Sequence, residues 1–457
     1  MTDTPTNTDL TAAPRLRRVL TLKDLIFYGI VLIQPIAPVG VFGLVLEMSR
    51  GQAAATIVLA MIAMMCTAFC YGRMSALYPS AGSAYTYVGK SFNPHLGFLA
   101  GWAMFLDYLI VPVINTIYGS LTLQRLAPAI PYVVWVTLFA GAITVLNLRG
   151  IRATARANML LLAVMSLVIA AFVALATRYV SETQGIAGLF STRPFYNPSS
   201  FSIGSVSAAT SLAALTYIGF DGVTTLAEEV KNPKRTVLLG TVLVCAVTGA
   251  FSTVEVYLAQ LVWPNYHSFP NIETAFLDVT QRVGGLALLQ AMAAVLIVAS
   301  LGSGLTGQVA AARLLFGMGR DNVLPKKFFG YLHPQRNAPV YNILILGILS
   351  WAGAMLLSYE HAAEILNFGA FLAFMGVNLA TLRKYYLEPH PEARHRRFWV
   401  DACIPCLGFL FCLWIWVSLP GPAKVVGGLW LAGGVAYAAA KTRGFRIAPV
   451  MIDFSEP

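Results

Sequence analysis

Residues 212–233, LAALTYIGFDGVTTLAEEVKNP, place a carboxylate, Asp221, between Gly219 and Gly222 inside a long apolar segment. An ionised side chain at the centre of a bilayer costs about 2.5–3.5 kcal/mol on insertion scales, so it is seldom kept there without a task. The two glycines leave the backbone free to unwind beside it. Unwound backbone at that depth is tolerated only where it lines a cavity or is covered by protein. Tyr217 and Phe220 would supply aromatic walls next to the acid, and an ammonium group is attracted to such ring faces. A second interruption is expected in residues 25–46, LIFYGIVLIQPIAPVGVFGLVL. Pro35 and Pro38 each remove a helix hydrogen bond there. Gln34, Pro38 and Gly40 then fall where the chain should open, and the break is expected to run through Gly40. Two interrupted helices at matching places in two halves of a chain form the usual frame of a transporter's binding site.

A third polar seam lies in residues 95–120, HLGFLAGWAMFLDYLIVPVINTIYGS. Asp107 sits 13 residues past Pro94, about 20 Å along a helix and so near mid-membrane. Pro112 leaves the carbonyl of Tyr108 without its helix partner. Asp107, Tyr108 and Asn115 are read as facing the interior. Asp107 and Asp221 are the expected proton-carrying or gating acids, since no basic residue accompanies either one in its segment. Glu228 and Glu229, just before Lys231, Lys234 and Arg235, fit either a solvated ion-pair cluster or a gate. Residues 298–307, VASLGSGLTG, match G-x-G-x-x-G at Gly302, Gly304 and Gly307. With no strand–helix unit around it this is not a dinucleotide fingerprint. In a membrane helix it reads as a small packing face, with Ser300, Ser303 and Thr306 free to touch a ligand or ion. Cys403 and Cys406 form one C-x-x-C without a second ligand pair, and the six histidines show no metal spacing. No metal and no cofactor are expected.

The elements that must hold these groups are transmembrane helices. The chain has 457 residues, 57% hydrophobic and only 11% charged, against roughly 25% charged in soluble domains. Apolar runs recur at about 24–46, 52–78, 95–122, 131–148, 157–177, 202–228, 237–263, 284–316, 341–357, 361–382, 402–419 and 424–440, which gives twelve expected spans. The loops 178–201 and 264–283 are expected on the outside, the second as a lid over the outer mouth. Placing the N-terminus in the cytoplasm leaves only Arg50, Arg125, Arg178, Arg193, Arg282 and Lys424 of the 31 Lys and Arg outside. The positive-inside rule thus favours both termini in the cytoplasm. It also accounts for the net charge of +11 without a nucleic-acid partner. The expected division is a cytoplasmic tail at 1–21, a first repeat at 22–180, an inverted second repeat at 181–385, two further helices at 386–441 and a tail at 442–457.

Four long stretches carry a resemblance: PSAGSAYTYVGKSFNPHLGFLAGWAMFLDYLIVPVIN (79–115), YIGFDGVTTLAEE (217–229), ARLLFGMGRDNVLPKKFFGYLHP (312–334) and ILNFGAFLAFMGVNL (365–379). Through them the chain resembles the amino acid–polyamine–organocation superfamily, and within it the bacterial putrescine importers. The resemblance implies an all-α membrane protein with twelve helices, an inverted five-plus-five core with helices 1 and 6 broken, and two extra helices. It implies uptake of an amine or amino acid across the plasma membrane by alternating access, coupled to protons; the hydroxyls of Ser300, Ser303 and Thr306 leave Na+ open as the other coupling ion. It matches Asp221 to the family's acid after the second break; with Gln34, Pro38, Gly40, Tyr108, Tyr217, Gly219 and Phe220, read from the residues, Asp221 is expected to bind the substrate. One position departs from the pattern: the putrescine importers carry an Asp where this chain has Gly40. A neutral amino acid carrier or exchanger is the alternative. A channel or receptor would need a filter sequence or charge ring that the sequence lacks, and no nucleophile elbow or H-E-x-x-H marks an enzyme. The assembly is expected to be a monomer or homodimer.

Overall fold

The computed structural model describes residues 20–79, 82–149, 155–320, 324–334, 338–388 and 397–446. The N-terminal tail with Arg15, Arg17 and Arg18, Asp321, and the tail beyond 446 lie outside the described residues, as does the side chain of Glu228. Among the described residues the regular structure is helical, apart from one isolated parallel bridge between Leu20 and Val230. The order is α1 Leu22–Ile33, α2 Ala37–Met48, α3 Ala53–Leu77, α4 Ser83–Ser91, α5 Pro94–Leu126, α6 Tyr132–Leu148, α7 Ala155–Gly188 and α8 Ile203–Ala213. There follow α9 Pro233–Val262, α10 Ala275–Arg320, α11 Lys326–Phe329, α12 Val340–Leu356, α13 Tyr359–Leu382, α14 Ile404–Ser418 and α15 Gly421–Lys441.

The described residues contain nine helices long and apolar enough to cross a membrane, and shorter apolar helices at Ala37–Met48, Tyr132–Leu148 and Val340–Leu356. Helix also occupies parts of both expected outer loops. α7 continues past 177 to Gly188, into what reads as a loop, with Arg178 and Glu182 paired one turn apart at 2.8 Å. α10 begins at Ala275, inside the expected 264–283 loop. There Asp278 is buried and takes a 2.7 Å ion pair from Arg125 at the far end of α5. A kinked glycine interrupts each stretch, Gly185 at φ 72° and Gly285 at φ 63°, so residues 275–284 form a short helix ahead of the span, and hydropathy marks where that span itself begins.

Lipid tails are as apolar as leucine, so helix association in a membrane relies on close packing and interhelical hydrogen bonds. Gly97 shows the packing: a Cβ there would lie 2.6 Å from the Cα of Gly89, so α4 and α5 touch backbone to backbone. Polar clasps show the rest. Arg73 at the end of α3 pairs with Asp401 at 2.6 Å and lies 3.7 Å from the ring centre of Tyr385. Asn147 of α6 donates to Gln308 of α10 at 2.7 Å, and Gln308 donates to Thr144 at 3.1 Å.

Candidate functional site

The first interruption lies between α1 and α2. Gln34 takes φ 64° and ψ 125°, a conformation unusual for a residue with a side chain. Pro38 stands in the first turn of α2, where a missing N–H costs nothing. The expected break through Gly40 is therefore corrected: the chain opens at residues 34–36, and Gly40 is helical within α2. Proline ends the helix ahead of itself and starts the next, so the pair Pro35 and Pro38 places the gap N-terminal to the glycine. Gly40 has another use. A Cβ there would sit 2.7 Å from the hydroxyl of Tyr359, so the tyrosine rests where only glycine leaves room.

The second interruption follows α8. A short 3-10 turn, Ala214–Tyr217, leads to Ile218 in extended conformation and Gly219 at φ 119°. L-residues avoid that region, which explains a glycine here. A 3-10 helix, Phe220–Glu229, carries the chain onward. Runs of that length are uncommon and mark strained or functional segments. Its end is held to the start of α1, where Lys231 N donates to Leu20 O at 3.2 Å.

Beside the two interruptions lies a cavity of about 730 Å³, counted with the space open at its mouth. Of the expected residues, Gln34, Gly40, Ser300 and Ser303 line it, as does Asn115. Gln34 Nε2 donates to the carbonyl of Ala299 at 3.3 Å. Asn115 Nδ2 donates to Ser303 Oγ at 3.0 Å and to Val111 O at 2.8 Å. No charged side chain lines the cavity among the described residues. Its remaining walls are aliphatic, with the rings of Tyr118 and Tyr359 5.2 Å apart, centre to centre.

The other expected residues lie outside that lining. Tyr217 turns away: its hydroxyl donates to Ile57 O of α3 at 2.9 Å. Phe220 joins an aromatic cluster, 5.5 Å from Tyr71 and 5.2 Å from Phe374. Pro38 is buried in α2 without reaching the cavity, and Gly219 shapes the backbone alone. Thr306 is exposed and donates to Gly302 O at 2.9 Å, so it takes no part. Asp221 is 5% exposed, and the backbone of Gly219, Asp221 and Gly222 lies close to its carboxylate. Asp107 is equally buried, and its Oδ1 has no hydrogen-bond partner among the described residues. Asp221 lies within electrostatic reach of Asp107, Tyr71, Tyr87 and Tyr108. The site thus has two layers. An uncharged cavity lies along residues 111–118 of α5, and a layer of acids and tyrosines begins one turn earlier on the same helix.

Sequence reasoning missed Tyr118, Tyr359 and Ile218. The signal for the first was present: Val111, Ile114, Asn115 and Tyr118 follow i, i+3, i+4, i+7 spacing, one helical face. Tyr359 carries no such mark, because it stands at the start of α13 and its ring is placed by a contact with Gly40, 319 residues earlier in the chain.

With this geometry in view, known proteins give a consistent answer. The family model described as amino acid permease matches residues 25–439. The low-affinity putrescine importer PlaP of Escherichia coli (strain K12) is 32% identical over 436 residues, covering 95% of this chain and 96% of that protein. The branched-chain amino acid permease BcaP of Lactococcus lactis subsp. cremoris is 27% identical over 396 residues, 81% of this chain and 82% of its own. The methylthioribose transporter of Bacillus subtilis is 27% identical over 445 residues, 92% of each. These relatives are transporters rather than enzymes, and with the family model matching residues 25–439 the chain belongs to the amino acid permease family of the amino acid–polyamine–organocation superfamily, alongside its bacterial putrescine importers.

Proposed function

We propose that this permease imports a small amine or amino acid across the plasma membrane by alternating access, coupled to protons. The observation that carries the reading is the pairing of an uncharged cavity at two helix interruptions with two buried carboxylates beside it. The start of α2 faces the cavity through Ala37, and although the N–H groups of Ala37 and Val39 are already bonded to Gln34 O and Ile36 O, the positive potential of the helix N-terminus favours a carboxylate or polar group there. Tyr118 and Tyr359 offer ring faces to an ammonium. Asp107 and Asp221 sit in low dielectric, where a carboxylate can exchange a proton within the cycle. The basic side is read as cytoplasmic, with both termini there, twelve spans, and an inverted repeat relating the first five spans to the next five. Glu228 stays open as a gate on that side or as part of a solvated ion-pair cluster. The relative's substrate makes putrescine the first compound to try.

A second reading is a neutral amino acid carrier. It is favoured by the absence of charge in the described cavity lining and by glycine at position 40. An apolar side chain fits the aliphatic walls, and the branched-chain relative suggests leucine as the test compound. Both are decided by uptake of labelled putrescine and leucine into proteoliposomes, with and without a pH gradient. Accumulation of putrescine alone supports the first substrate, and of leucine alone the second. Accumulation of neither, under any gradient, overturns the substrate class.

A further inference from the structure

Glu273 belongs to the 3-10 turn Ile272–Thr274, which connects α9 to α10. Its Oε1 accepts a hydrogen bond from the backbone N–H of Tyr359 at 3.2 Å. Tyr359 is the first residue of α13, so that N–H is one of the donors a helix cannot satisfy internally. The neighbouring cap residue, Ser358, already serves the N–H of His361. Glu273 therefore supplies a second cap from a segment 86 residues away in sequence. A carboxylate there also faces the positive end of the helix dipole.

The residue so capped matters to the cavity. Tyr359 is 6% exposed, lines the cavity, stacks at a tilt on Tyr118 and rests its hydroxyl on Gly40. The same turn is seated on α2: a Cβ at Gly43 would run into the carbonyl of Ile272 and lie 2.7 Å from Ala275 Cβ. One short turn thus touches the helix after the first interruption and the helix that carries the covering ring.

We propose that Glu273 is a positioning residue for transport: it clips the α9–α10 connection to the start of α13 and so holds the Tyr359 ring across the cavity. This assignment rests on the transport reading above. Displacing the turn frees the first turn of α13, and the ring with it.

The test uses the full-length protein in proteoliposomes and in detergent. Glu273→Ala should raise the KM for whichever of putrescine or leucine is taken up by about tenfold while leaving the maximal rate within about twofold. Glu273→Gln, which keeps an acceptor oxygen, should stay within about threefold of the native KM. In a Tyr359→Ala background Glu273→Ala should add less than about twofold, because both act through one ring. Amide exchange at residues 359–362 should quicken by about tenfold in Glu273→Ala. Independent, multiplying effects of the two alanine variants, or unchanged exchange at 359–362 with native uptake intact, would overturn the assignment. Native protein that takes up neither compound overturns the transport reading instead, while exchange still reports whether the cap exists.

Discussion

Gln34 and Ala299 are joined across the cavity: the side-chain amide of the one donates to the backbone carbonyl of the other at 3.3 Å. The bond ties the opened backbone of the first interruption to the middle of α10. A residue held at positive φ needs such support, since the surroundings must hold the conformation in place. Gln34→Ala removes the tie and leaves the strained backbone without it. We expect a loss of about 1–2 kcal/mol in stability, seen as a lower melting temperature, together with a clear rise in KM for uptake. An unchanged KM would place Gln34 outside the binding step.

Gly40 should not tolerate a side chain. The 2.7 Å approach of the Tyr359 hydroxyl leaves no space for a methyl group. Gly40→Ala is expected to displace Tyr359 and to cost about 1–3 kcal/mol as overpacking. Gly40→Ala in a Tyr359→Phe background, where the hydroxyl is gone, should recover most of the loss. Thermal unfolding of the two single variants and the double variant reads this out. Failure of the second change to rescue the first would show that the hydroxyl is not the obstacle.

Gly219→Ala tests the second interruption. With φ at 119°, any L-side chain is strained there, at a cost of about 1–3 kcal/mol. Uptake should fall further than folding does, because Gly219 sets the backbone next to Ile218, which lines the cavity. A Gly219→Ala protein with native uptake and native melting temperature would contradict the geometry.

Arg73 and Asp401 offer a control remote from the cavity. Asp401 is 2% exposed, and its carboxylate takes both the Arg73 guanidinium and the N–H of Arg397. Removing one partner of a buried pair typically costs about 3–5 kcal/mol. Arg73→Met should therefore lower the melting temperature strongly, and the double change with Asp401→Asn should cost less than the sum. Properly folded material should keep its KM. A shift in KM at native stability would assign this clasp to the transport cycle instead.

Much of the fold was legible because a membrane imposes it. Apolar length marks the helices, and Gly219 beside Asp221 marks one interruption. The first interruption was legible in kind and misplaced by about one turn. Glycine at position 40 looked like the cause of a break, when it is a seat for Tyr359. Local sequence reports what a backbone is free to do, and only packing reports which glycine is used for conformation and which for space. The same limit explains Tyr217 and Phe220. Their aromatic character was plain, but the direction of each ring follows from partners on α3 and α13. Asp401 escaped notice for a related reason: its partner Arg73 is 328 residues distant in sequence.

The central claim is that substrate uptake is coupled to protons through the acid layer beside the cavity. The most direct measurement is initial uptake of labelled putrescine and leucine into proteoliposomes, with an inward-directed pH gradient and without one, for the native protein and for Asp221→Asn. The account predicts gradient-driven accumulation by the native protein, and loss of that gradient dependence in Asp221→Asn while exchange of internal for external substrate persists. Gradient-independent uptake by the native protein, or gradient dependence unchanged in Asp221→Asn, would contradict it.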